Sequence, residues 1–502
     1  MKTQGMPHQL EYLRRAEGRE YFGLFMEQGT GKTWSILADA ERLYAAGKID
    51  ALFVLAPNGV HTNWPLREIP THMEADVIAR TWRAGAGVIE TRRREDLFVP
   101  RKHGATLPLR VLAMNIDGIR SDAAFKFAMR FLNATRPMIA VDESTRIKNP
   151  RTTQSERAIH LRQMADYARI ASGRPNPQSP LDFFGQMEFL RSGLLGTSSY
   201  RAFVAEYADL VDMEGESMKN MVRRNKRAKF AQIIAKDPDT NAPMYKNLDR
   251  LQRLIEPHAY RVLKRDCLSL PPKVYQRHFF DLTPAQRRAY NLMQEEQRIV
   301  LDGEETPVRR LGAMTKLQQI VSGFVIINGE VLRPPQLREN PRLDALLELV
   351  EDDDEPMIVW ARFREELSVI SEALRKAGRR VVEYHGGIST RDRDAAVDAF
   401  QSGEADSFVG QPQAGGIGIT LTRARWSVYY SNDFNLETRI QSEDRNHRIG
   451  TVGDSVRYVD LIAVNTIDEA IVASLQRKER MSSAMLGDAR LERAVRGAAP
   501  DV

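Results

Sequence analysis

The chain has 502 residues, of which 42% are hydrophobic and 28% charged, and a formal net charge of +6 at pH 7. This length allows two or three domains with substantial cores, and the composition is ordinary for a globular protein. The single cysteine, Cys267, excludes an intramolecular disulfide framework and a cysteine-rich metal site. No apolar run approaches the ~20 residues that cross a bilayer, and the N-terminus lacks a signal-peptide core. We therefore expect a cytoplasmic protein with no membrane partner, whose mild basic excess permits a polyanionic partner.

Strand-like and helical patterns alternate in the first part of the chain. A short helix at Pro7–Arg19 and a strand at Tyr21–Met26 precede a helix at about 33–46. The next segment, Ala51–Ala56, is a continuous apolar run of the kind that forms a strand buried on both faces of a parallel sheet. Two further runs repeat this pattern, at Arg110–Met114 and Met138–Val141. The alternation predicts a doubly wound α/β domain, whose ligands bind at the carboxyl ends of the strands.

The pattern changes between about residues 191 and 340, where strand-like runs are scarce and charged helical stretches dominate. Beyond the acidic run Glu351–Glu355 the alternation resumes, with strand-like runs at Met357–Trp360, Arg380–Glu383, Ser407–Val409, Trp426–Tyr430 and Val456–Val459. We therefore predict an α/β fold in which two doubly wound parallel-sheet domains flank a helical insertion. The predicted segments are 1–205, 206–335 and 336–485, followed by a C-terminal tail at 486–502.

The strand at Tyr21–Met26 leads into a segment with the features of a phosphate-binding loop. It consists of Gly29, Thr30, Gly31, Lys32 and Thr33. Glycines let the backbone turn its N–H groups towards a polyphosphate. The lysine can reach the β- and γ-phosphates, and the threonine hydroxyl can bind Mg²⁺. The strict pattern has a glycine where this chain has Met26, so an ordinary glycine turn remains an alternative at this point.

A pair of carboxylates supplies the acidic groups that such a loop needs to hydrolyse ATP. Asp142 and Glu143 follow the apolar run Met138–Val141, at the edge of the sheet where the phosphates are expected. Asp142 can hold Mg²⁺ through water, and Glu143 can orient and deprotonate the attacking water. By itself, an acidic pair after a strand is more simply a polar loop. Because this pair occurs together with a phosphate-binding loop, we favour the catalytic interpretation.

A series of short motifs extends from the phosphate-binding loop into the second half of the chain. They are Ala56–Trp64, Asp142–Asn149, Ala171–Pro175, Leu263–Lys273, Gln413–Leu421 and Gln441–Gly450. In this order they resemble motif Ia, motif II, motif III, the lobe-linking signature, motif V and motif VI of Swi/Snf-type ATPases in helicase superfamily 2. That family also lacks the glycine at the position of Met26. The resemblance covers about residues 5 to 475 and implies two RecA-like lobes around a helical insertion.

The resemblance implies catalytic roles for residues of motif VI. Arg445 and Arg448 would be arginine fingers that neutralise charge at the γ-phosphate during hydrolysis. Gln441 would join the same network. The alternative is that the two arginines form surface ion pairs with Glu443 and Asp444.

Other positions receive a role from the same resemblance. Gln9 resembles the glutamine that reads the edge of adenine, and Gly418 in motif V is assigned to the nucleotide site. His447, between the two arginines, is predicted to be a packing or hydrogen-bonding residue rather than a catalyst. Cys267 lies in the lobe-linking signature and is predicted to be structural.

The resemblance also implies contacts to nucleic acid. Those in motifs Ia, III and V are Asn63, Trp64, Arg174 and Gly416. A basic run at 219–229 adds Arg223, Arg224, Lys226 and Arg227. This run is a candidate contact to DNA phosphates, and a solvated helix face or a localisation-like signal are the alternatives. Thr145 and Arg174 replace a histidine and a threonine that are usual in the family, at places where the state of ATP is coupled to nucleic acid.

The function implied by the resemblance is that of a DNA-dependent ATPase that moves along double-stranded DNA as a monomer and contacts chiefly phosphates. ATP and Mg²⁺ are the implied cofactors. The sequence has no recognisable chromatin-reading, nuclease or zinc module, so it resembles the compact motors of bacteria and bacteriophages, in the cytoplasm of a bacterial or phage-infected cell. Two alternatives remain open. One is a strand-separating helicase that acts on single-stranded DNA or RNA, and the other is an ATP-gated scaffold subunit that does not translocate.

Overall fold

The computed structural model describes residues 1–98, 107–212, 232–238, 242–296, 298–301, 304–307, 310–351, 353–415, 419–451 and 453–485. The chain divides into two compact units, the first formed by Met1–Cys267 with Arg480–Val502 and the second by Leu268–Glu479. The division falls at Cys267 and Glu479, inside the segments predicted as the insertion and as the second lobe. Among the described residues, no helix is long and apolar enough to cross a membrane.

The first unit contains a parallel sheet. Its strands are β1 (Tyr21–Met26), β2 (Ala51–Ala56), β3 (Val77–Trp82), β4 (Leu109–Asn115), β5 (Pro137–Asp142), β6 (Tyr167–Ala171) and β9 (Ala259–Val262). Strands β7 (Leu210–Asp212) and β8 (Gln232–Ile234) form a separate antiparallel pair. The order in the sheet is β3-β4-β2-β5-β6-β1-β9. Because β6 lies between β5 and β1, the segment after β6 lies between the phosphate loop and the acidic pair.

Helices cover both faces of this sheet. They are α1 (Pro7–Ala16), α2 (Lys32–Ala45), α3 (Val60–Asn63), α4 (Ile69–His72), α5 (Val88–Arg94), α6 (Asp122–Asn133), α7 (Thr153–Arg162), α8 (Phe183–Leu190), α9 (Tyr200–Tyr207), α10 (Leu248–Ile255) and α11 (Lys264–Cys267). Strand β2 is buried throughout: Phe53 and Leu55 pack with α6, α7 and α8 on one face, while Leu52 and Val54 pack with α1 and α2 on the other. This double burial explains why β2 has a continuous apolar sequence.

The second unit contains another parallel sheet, in the order β10-β19-β18-β15-β17-β16. Its strands and two hairpins are β10 (Lys273–Phe280), β11 (Arg298–Leu301), β12 (Glu304–Pro307), β13 (Val325–Ile327), β14 (Glu330–Leu332), β15 (Met357–Trp360), β16 (Val381–Tyr384), β17 (Ser407–Gly410), β18 (Trp426–Tyr429) and β19 (Val456–Ala463). The helices that follow α11 are α12 (Pro284–Glu296), α13 (Arg310–Val321), α14 (Pro341–Glu351), α15 (Arg364–Lys376), α16 (Thr390–Ser402), α17 (Pro412–Gly415), α18 (Leu436–Glu443) and α19 (Ile467–Met485).

The predicted fold class is confirmed, and the buried strands β1, β2 and β15 begin and end at the predicted residues. The sequence did not predict the edge strands β9 and β10, which lie in the part of the chain where helices were expected. Most residues of β10 are exposed or half-buried, so its sequence lacks the apolar run that marks a central strand. The edge strand β3 and the central strand β6 were not predicted either, whereas the edge strand β16 lies within one residue of the predicted run at Arg380–Glu383.

Candidate active site

The phosphate loop (Gly29–Thr33) connects β1 to α2. Gly29 and Gly31 have φ values of +82° and +83°, in the left-handed region that favours glycine. A Cβ atom at Gly31 would lie 1.9 Å from Nε2 of Gln9, so this position also requires the absence of a side chain. Helix α2 begins at Lys32, which is buried. The loop therefore has the backbone conformation and the following helix that a phosphate-binding site needs.

Helix α1 holds the phosphate loop from its N-terminal side. Nε2 of Gln9 lies 3.3 Å from the carbonyl oxygens of Thr30 and Gly31, and Oε1 of Gln9 accepts a hydrogen bond from the N–H of Met6 at 2.7 Å. Nε2 of His8 lies 2.8 Å from the carbonyl oxygen of Thr30, a contact that the sequence did not predict. Gln9 is thus next to the phosphate loop, and its contact with adenine stays a prediction.

The acidic pair lies where β5 ends. Asp142 is the buried last residue of β5, and Glu143 follows it with φ +54° and ψ +61°. Residues other than glycine rarely adopt this left-handed conformation, which persists where surrounding contacts maintain it. Burial and the charge of Glu143 raise the pKa of Asp142 from 3.8 to about 6, and the charge of Lys32 and the indole of Trp64 partly oppose this rise.

Trp64 is the clearest correction to the predicted site. It begins a π-helical turn at Trp64–Glu68, between α3 and α4, and its side chain is 1% exposed in the core of the first unit. A side chain buried beside Asp142 cannot contact nucleic acid, so the predicted role of Trp64 is wrong. Its neighbour Asn63, at the end of α3, is half-buried, and its contact with nucleic acid stays a prediction.

Motif III forms the β6 loop (Ser172–Pro175) beside the phosphate loop. Nη2 of Arg174 lies 3.9 Å from Oε1 of Glu27, and the other oxygen of this carboxylate accepts a hydrogen bond from the N–H of Lys264 at 2.8 Å. A Cβ atom at Gly173 would lie 3.4 Å from the backbone nitrogen of Gln28. Arg174 is therefore engaged next to the phosphate loop, and its predicted contact with nucleic acid remains untested.

Motif VI of the second unit begins in the last turn of α18 and continues beyond it. Arg445 is 4% exposed; its Nε donates to the carbonyl oxygen of Gln441 at 2.8 Å, and its Nη1 donates to that of Ile419 at 3.4 Å. Arg448 is half-buried, and its Nη1 donates to Oγ1 of Thr420 at 2.9 Å. Arg445 is thus held by backbone carbonyls of its own unit, whereas Arg448 is the more accessible of the two.

The buried carboxylate of Glu443 has partners other than those considered from the sequence. It lies 2.8 Å from Nζ of Lys273 and 2.8 Å from Nε of Arg439, and it accepts a hydrogen bond from the hydroxyl of Tyr275. Burial alone would raise the pKa of Glu443, but the charges of Lys273 and Arg439 outweigh burial and lower it to about 2. The alternative in which Glu443 forms a surface ion pair with Arg445 or Arg448 is therefore wrong.

Two further residues have the structural surroundings that the sequence predicts. Nε2 of His447 lies 2.8 Å from the carbonyl oxygen of Pro271, so motif VI contacts the lobe-linking signature within the second unit. Sγ of Cys267 donates to the carbonyl oxygen of Leu263 at 3.3 Å, and burial raises the pKa of its thiol. A thiol with a raised pKa is a poor nucleophile, in agreement with a structural role.

Several predicted residues lie outside the described part of the chain. They are Gly416 and Gly418 of motif V and the basic residues Arg223, Arg224, Lys226 and Arg227. The structure also shows contacts of three residues to which the sequence analysis assigned no role. Gln28 donates to the carboxylate of Glu143, and Ser144, the residue after Glu143, donates to Gln186. The signal for Gln186 was a polar residue within the apolar first half of α8, Phe183 to Met187.

Comparisons with known proteins identify the family of this chain. The family model described as SNF2-related domain matches residues 9–323, more than half of the chain, and the helicase conserved C-terminal domain matches residues 341–450. YwqA of Bacillus subtilis, whose name is that of an ATP-dependent helicase/translocase, is 26% identical over 69% of this chain and 35% of its own length. The DNA annealing helicase and endonuclease ZRANB3 of Mus musculus is 26% identical over 70% of this chain and 30% of its own length.

The chain therefore spans about a third of the length of these two curated relatives. A solved SWI2/SNF2 ATPase core from Sulfolobus solfataricus, in complex with double-stranded DNA, is 20% identical and has a TM-score of 0.40, with 98% of this chain and 97% of that chain covered. The family assignment rests on the extent of the family match and on the ordered motifs, and the resemblance noted in the sequence is confirmed. This chain belongs to the SNF2-related family.

Proposed function

We propose that this chain is a nucleic-acid-dependent ATPase that couples hydrolysis of ATP to movement along double-stranded DNA. One observation carries the ATPase part of the proposal: Nε2 of Gln28 lies 3.3 Å from Oε1 of Glu143, so this carboxylate borders the phosphate loop. A carboxylate at this place can orient the attacking water and accept its proton.

The residues of the phosphate loop fit the triphosphate of ATP together with Mg²⁺. The left-handed backbone at Gly29 and Gly31 and the start of α2 provide N–H groups for an anion. Burial and the charge of Glu143 disfavour ionisation of Asp142, a situation that a bound divalent cation relieves. We propose that Thr33 and Asp142 hold Mg²⁺, which when bound neutralises charge on the phosphates.

The remaining residues of the site receive separate tasks. Lys32 neutralises phosphate charge at the start of α2, and Gln9 contacts adenine from its place beside the loop. Arg448 supplies the guanidinium that stabilises charge at the γ-phosphate. Arg445 is assigned the same task with Gln441, although in the described conformation its guanidinium donates to backbone carbonyls, including that of Gln441.

Movement along double-stranded DNA is the less direct part of the proposal. It is supported by membership of the SNF2-related family and by the names of the two relatives, one called a helicase/translocase and the other a DNA annealing helicase. Asn63, in the segment after β2, is proposed as a contact to DNA phosphates, because phosphate contacts position a motor without reading sequence. Action as a monomer in the cytoplasm and origin in a bacterium or bacteriophage stay predictions.

The first test measures ATP hydrolysis in parallel with duplex DNA, single-stranded DNA and RNA, at one fixed salt concentration. The expected result is stimulation by duplex DNA that is lost in the Lys32→Ala variant. Stimulation by RNA alone would overturn the DNA assignment. Hydrolysis by the Lys32→Ala variant at the rate of the unmodified protein would overturn the ATP site itself.

A second test separates translocation from ATP-gated scaffolding. A third strand annealed to duplex DNA is displaced by a protein that moves along the duplex, without separation of the two duplex strands. We expect ATP-dependent displacement by the full chain and none by the Glu143→Gln variant. ATP hydrolysis without displacement would favour the scaffold, and unwinding of a forked duplex would favour a strand-separating helicase.

A further inference from the structure

Two glutamines outside the roles assigned above contact Glu143 or the residue that follows it. Nε2 of Gln28, just before the phosphate loop, donates to the Glu143 carboxylate at 3.3 Å. The hydroxyl of Ser144 donates to Oε1 of Gln186 at 2.7 Å. One glutamine thus contacts the reactive carboxylate, and the other contacts the residue that follows Glu143 in the chain.

Gln186 is a fully buried amide in an apolar helix. Its Nε2 donates to the carbonyl oxygen of Pro175 at 2.5 Å and to that of Asp182 at 2.7 Å, while its Oε1 accepts from Ser144. Its neighbours in α8, Phe183 to Met187, are otherwise apolar or glycine. A buried amide costs stability unless it is hydrogen-bonded, and this one has a partner at both of its polar atoms. These contacts tie the turn after β5 to the β6 loop.

Gln28 is linked to the same β6 loop by packing. A Cβ atom at Gly173 would lie 3.4 Å from the nitrogen and 3.5 Å from Cγ of Gln28, so the loop lies directly against this residue. The β6 loop therefore contacts Gln28 through Gly173 and Gln186 through Pro175. Between them lies Glu143, in a left-handed conformation that needs surrounding contacts to persist.

We infer that Gln28 and Gln186 are positioning residues for Glu143, a role that rests on the proposed function of Glu143 as the base. Gln28 fixes the direction of the carboxylate, and Gln186 fixes the backbone turn through Ser144. Because both glutamines contact the β6 loop, the position of this loop sets the position of the carboxylate. An error of about 1 Å in the placement of a base is enough to slow catalysis by a large factor.

The test compares Gln28→Met and Gln186→Met with the unmodified full chain in ATP hydrolysis at saturating duplex DNA. Methionine keeps the approximate volume and removes the amide. We expect kcat to fall about tenfold in each variant, while KM for ATP and the affinity for ADP change less than about twofold. Gln163→Met, at an exposed position after α7, is the matched control and should leave kcat unchanged. If Gln186→Met fails to fold, Ser144→Ala removes the same hydrogen bond from the other side.

A double-variant cycle distinguishes positioning from general destabilisation. In the Glu143→Gln background, Gln28→Met should change the residual single-turnover rate of hydrolysis less than about twofold, because no base remains to be positioned. A tenfold fall in that background, a loss of nucleotide affinity, or an unchanged kcat in Gln28→Met would each overturn the inference. Failure of the proposed function gives a different result: the unmodified chain would not hydrolyse ATP, or Glu143→Gln would retain full turnover.

Discussion

Two buried carboxylates, Asp142 in the first unit and Glu443 in the second, have pKa values shifted in opposite directions. Burial and the charge of Glu143 raise the pKa of Asp142 to about 6. Burial of Glu443 also raises the pKa of this carboxylate, but the charges of Lys273 and Arg439 outweigh the effect of burial and lower the pKa to about 2. The folded protein thus disfavours the charged form of one carboxylate and stabilises that of the other.

This difference distinguishes the carboxylate proposed to bind a ligand from one that stabilises the fold. Glu443 and its two cations form a compensated group within the second unit, as buried ion pairs in stable cores do. Asp142 lies beside a second carboxylate at the end of β5, and its charge is not balanced to the same degree. A buried carboxylate with a raised pKa at the carboxyl edge of a parallel sheet is a candidate site for a bound cation, whose charge would balance that of the carboxylate.

The largest expected effect concerns the base beside Asp142. Glu143→Gln should lower ATP turnover by about 10³-fold, because the amide cannot accept the proton of the attacking water. The thermal unfolding midpoint should stay close to that of the unmodified protein. Steady-state hydrolysis and calorimetry check both statements, with the exposed Glu156→Gln of α7 as the control. Turnover within twofold of normal would remove Glu143 from its assigned role.

Glu443→Gln should produce the largest loss of stability. Removing this charge leaves Lys273 and Arg439 without their shared buried partner, at a cost of about 3 kcal/mol in the free energy of unfolding near pH 7. Denaturant unfolding of the second-unit transition measures this loss.

The pH dependence of the Glu443 effect follows from its pKa. Because the folded pKa of about 2 lies below the unfolded value near 4.5, the stabilisation is complete above pH 4.5 and is lost as the pH falls towards 2. Glu372→Gln, which removes an exposed pair with Lys376, is the control and should change little. Equal effects of the two substitutions would contradict the contrast between buried and exposed pairs.

Substitution of the two arginines of motif VI should affect ATP turnover in both cases but protein stability in only one. Arg448→Ala should lower turnover about 10²-fold with little change in the unfolding midpoint, since its side chain is half-buried. Arg445→Ala should also lower the unfolding midpoint, because Arg445 is buried and donates to two backbone carbonyls. Parallel hydrolysis and thermal-unfolding measurements decide this. An unfolding midpoint lowered equally by both substitutions would show that Arg448, too, is held as part of the fold.

Asp142→Asn should change the free energy of unfolding by less than Glu443→Gln does, and in the opposite direction. Removing a carboxylate that is costly to ionise should raise the free energy of unfolding of the nucleotide-free protein by up to ~2 kcal/mol near pH 7. Since the folded pKa of about 6 exceeds the unfolded value near 3.8, the gain should be absent below pH 3.8 and complete above pH 6. Denaturant titrations at several pH values test this. Destabilisation by Asp142→Asn at pH 7 would contradict the unbalanced charge at the site.

Short local patterns in the sequence predict much of the fold and of the candidate ATP site. The continuous apolar runs of β1, β2 and β15 predict their bounds, because strands buried on both faces admit few polar residues. The glycines of the phosphate loop and the acidic pair after β5 are recognisable for the same reason: each is a few consecutive residues whose chemistry is specific. Their order along the chain was enough to identify the family.

The tertiary structure decided what depends on residues far apart in the chain. Three sets of contacts join segments that share no periodicity in the sequence. They are the packing of Trp64 beside Asp142, the ion pair of Glu443 with Lys273, and the contacts of Gln28 and Gln186 around Glu143. A glutamine on a helix or in a loop has the same sequence signature whether its side-chain amide faces water or forms hydrogen bonds in the interior. The sequence alone determined which groups can carry out the chemistry. Packing decided which charges are compensated within the fold and which remain for a ligand, because the energy of a charge depends on burial and neighbours rather than on residue type.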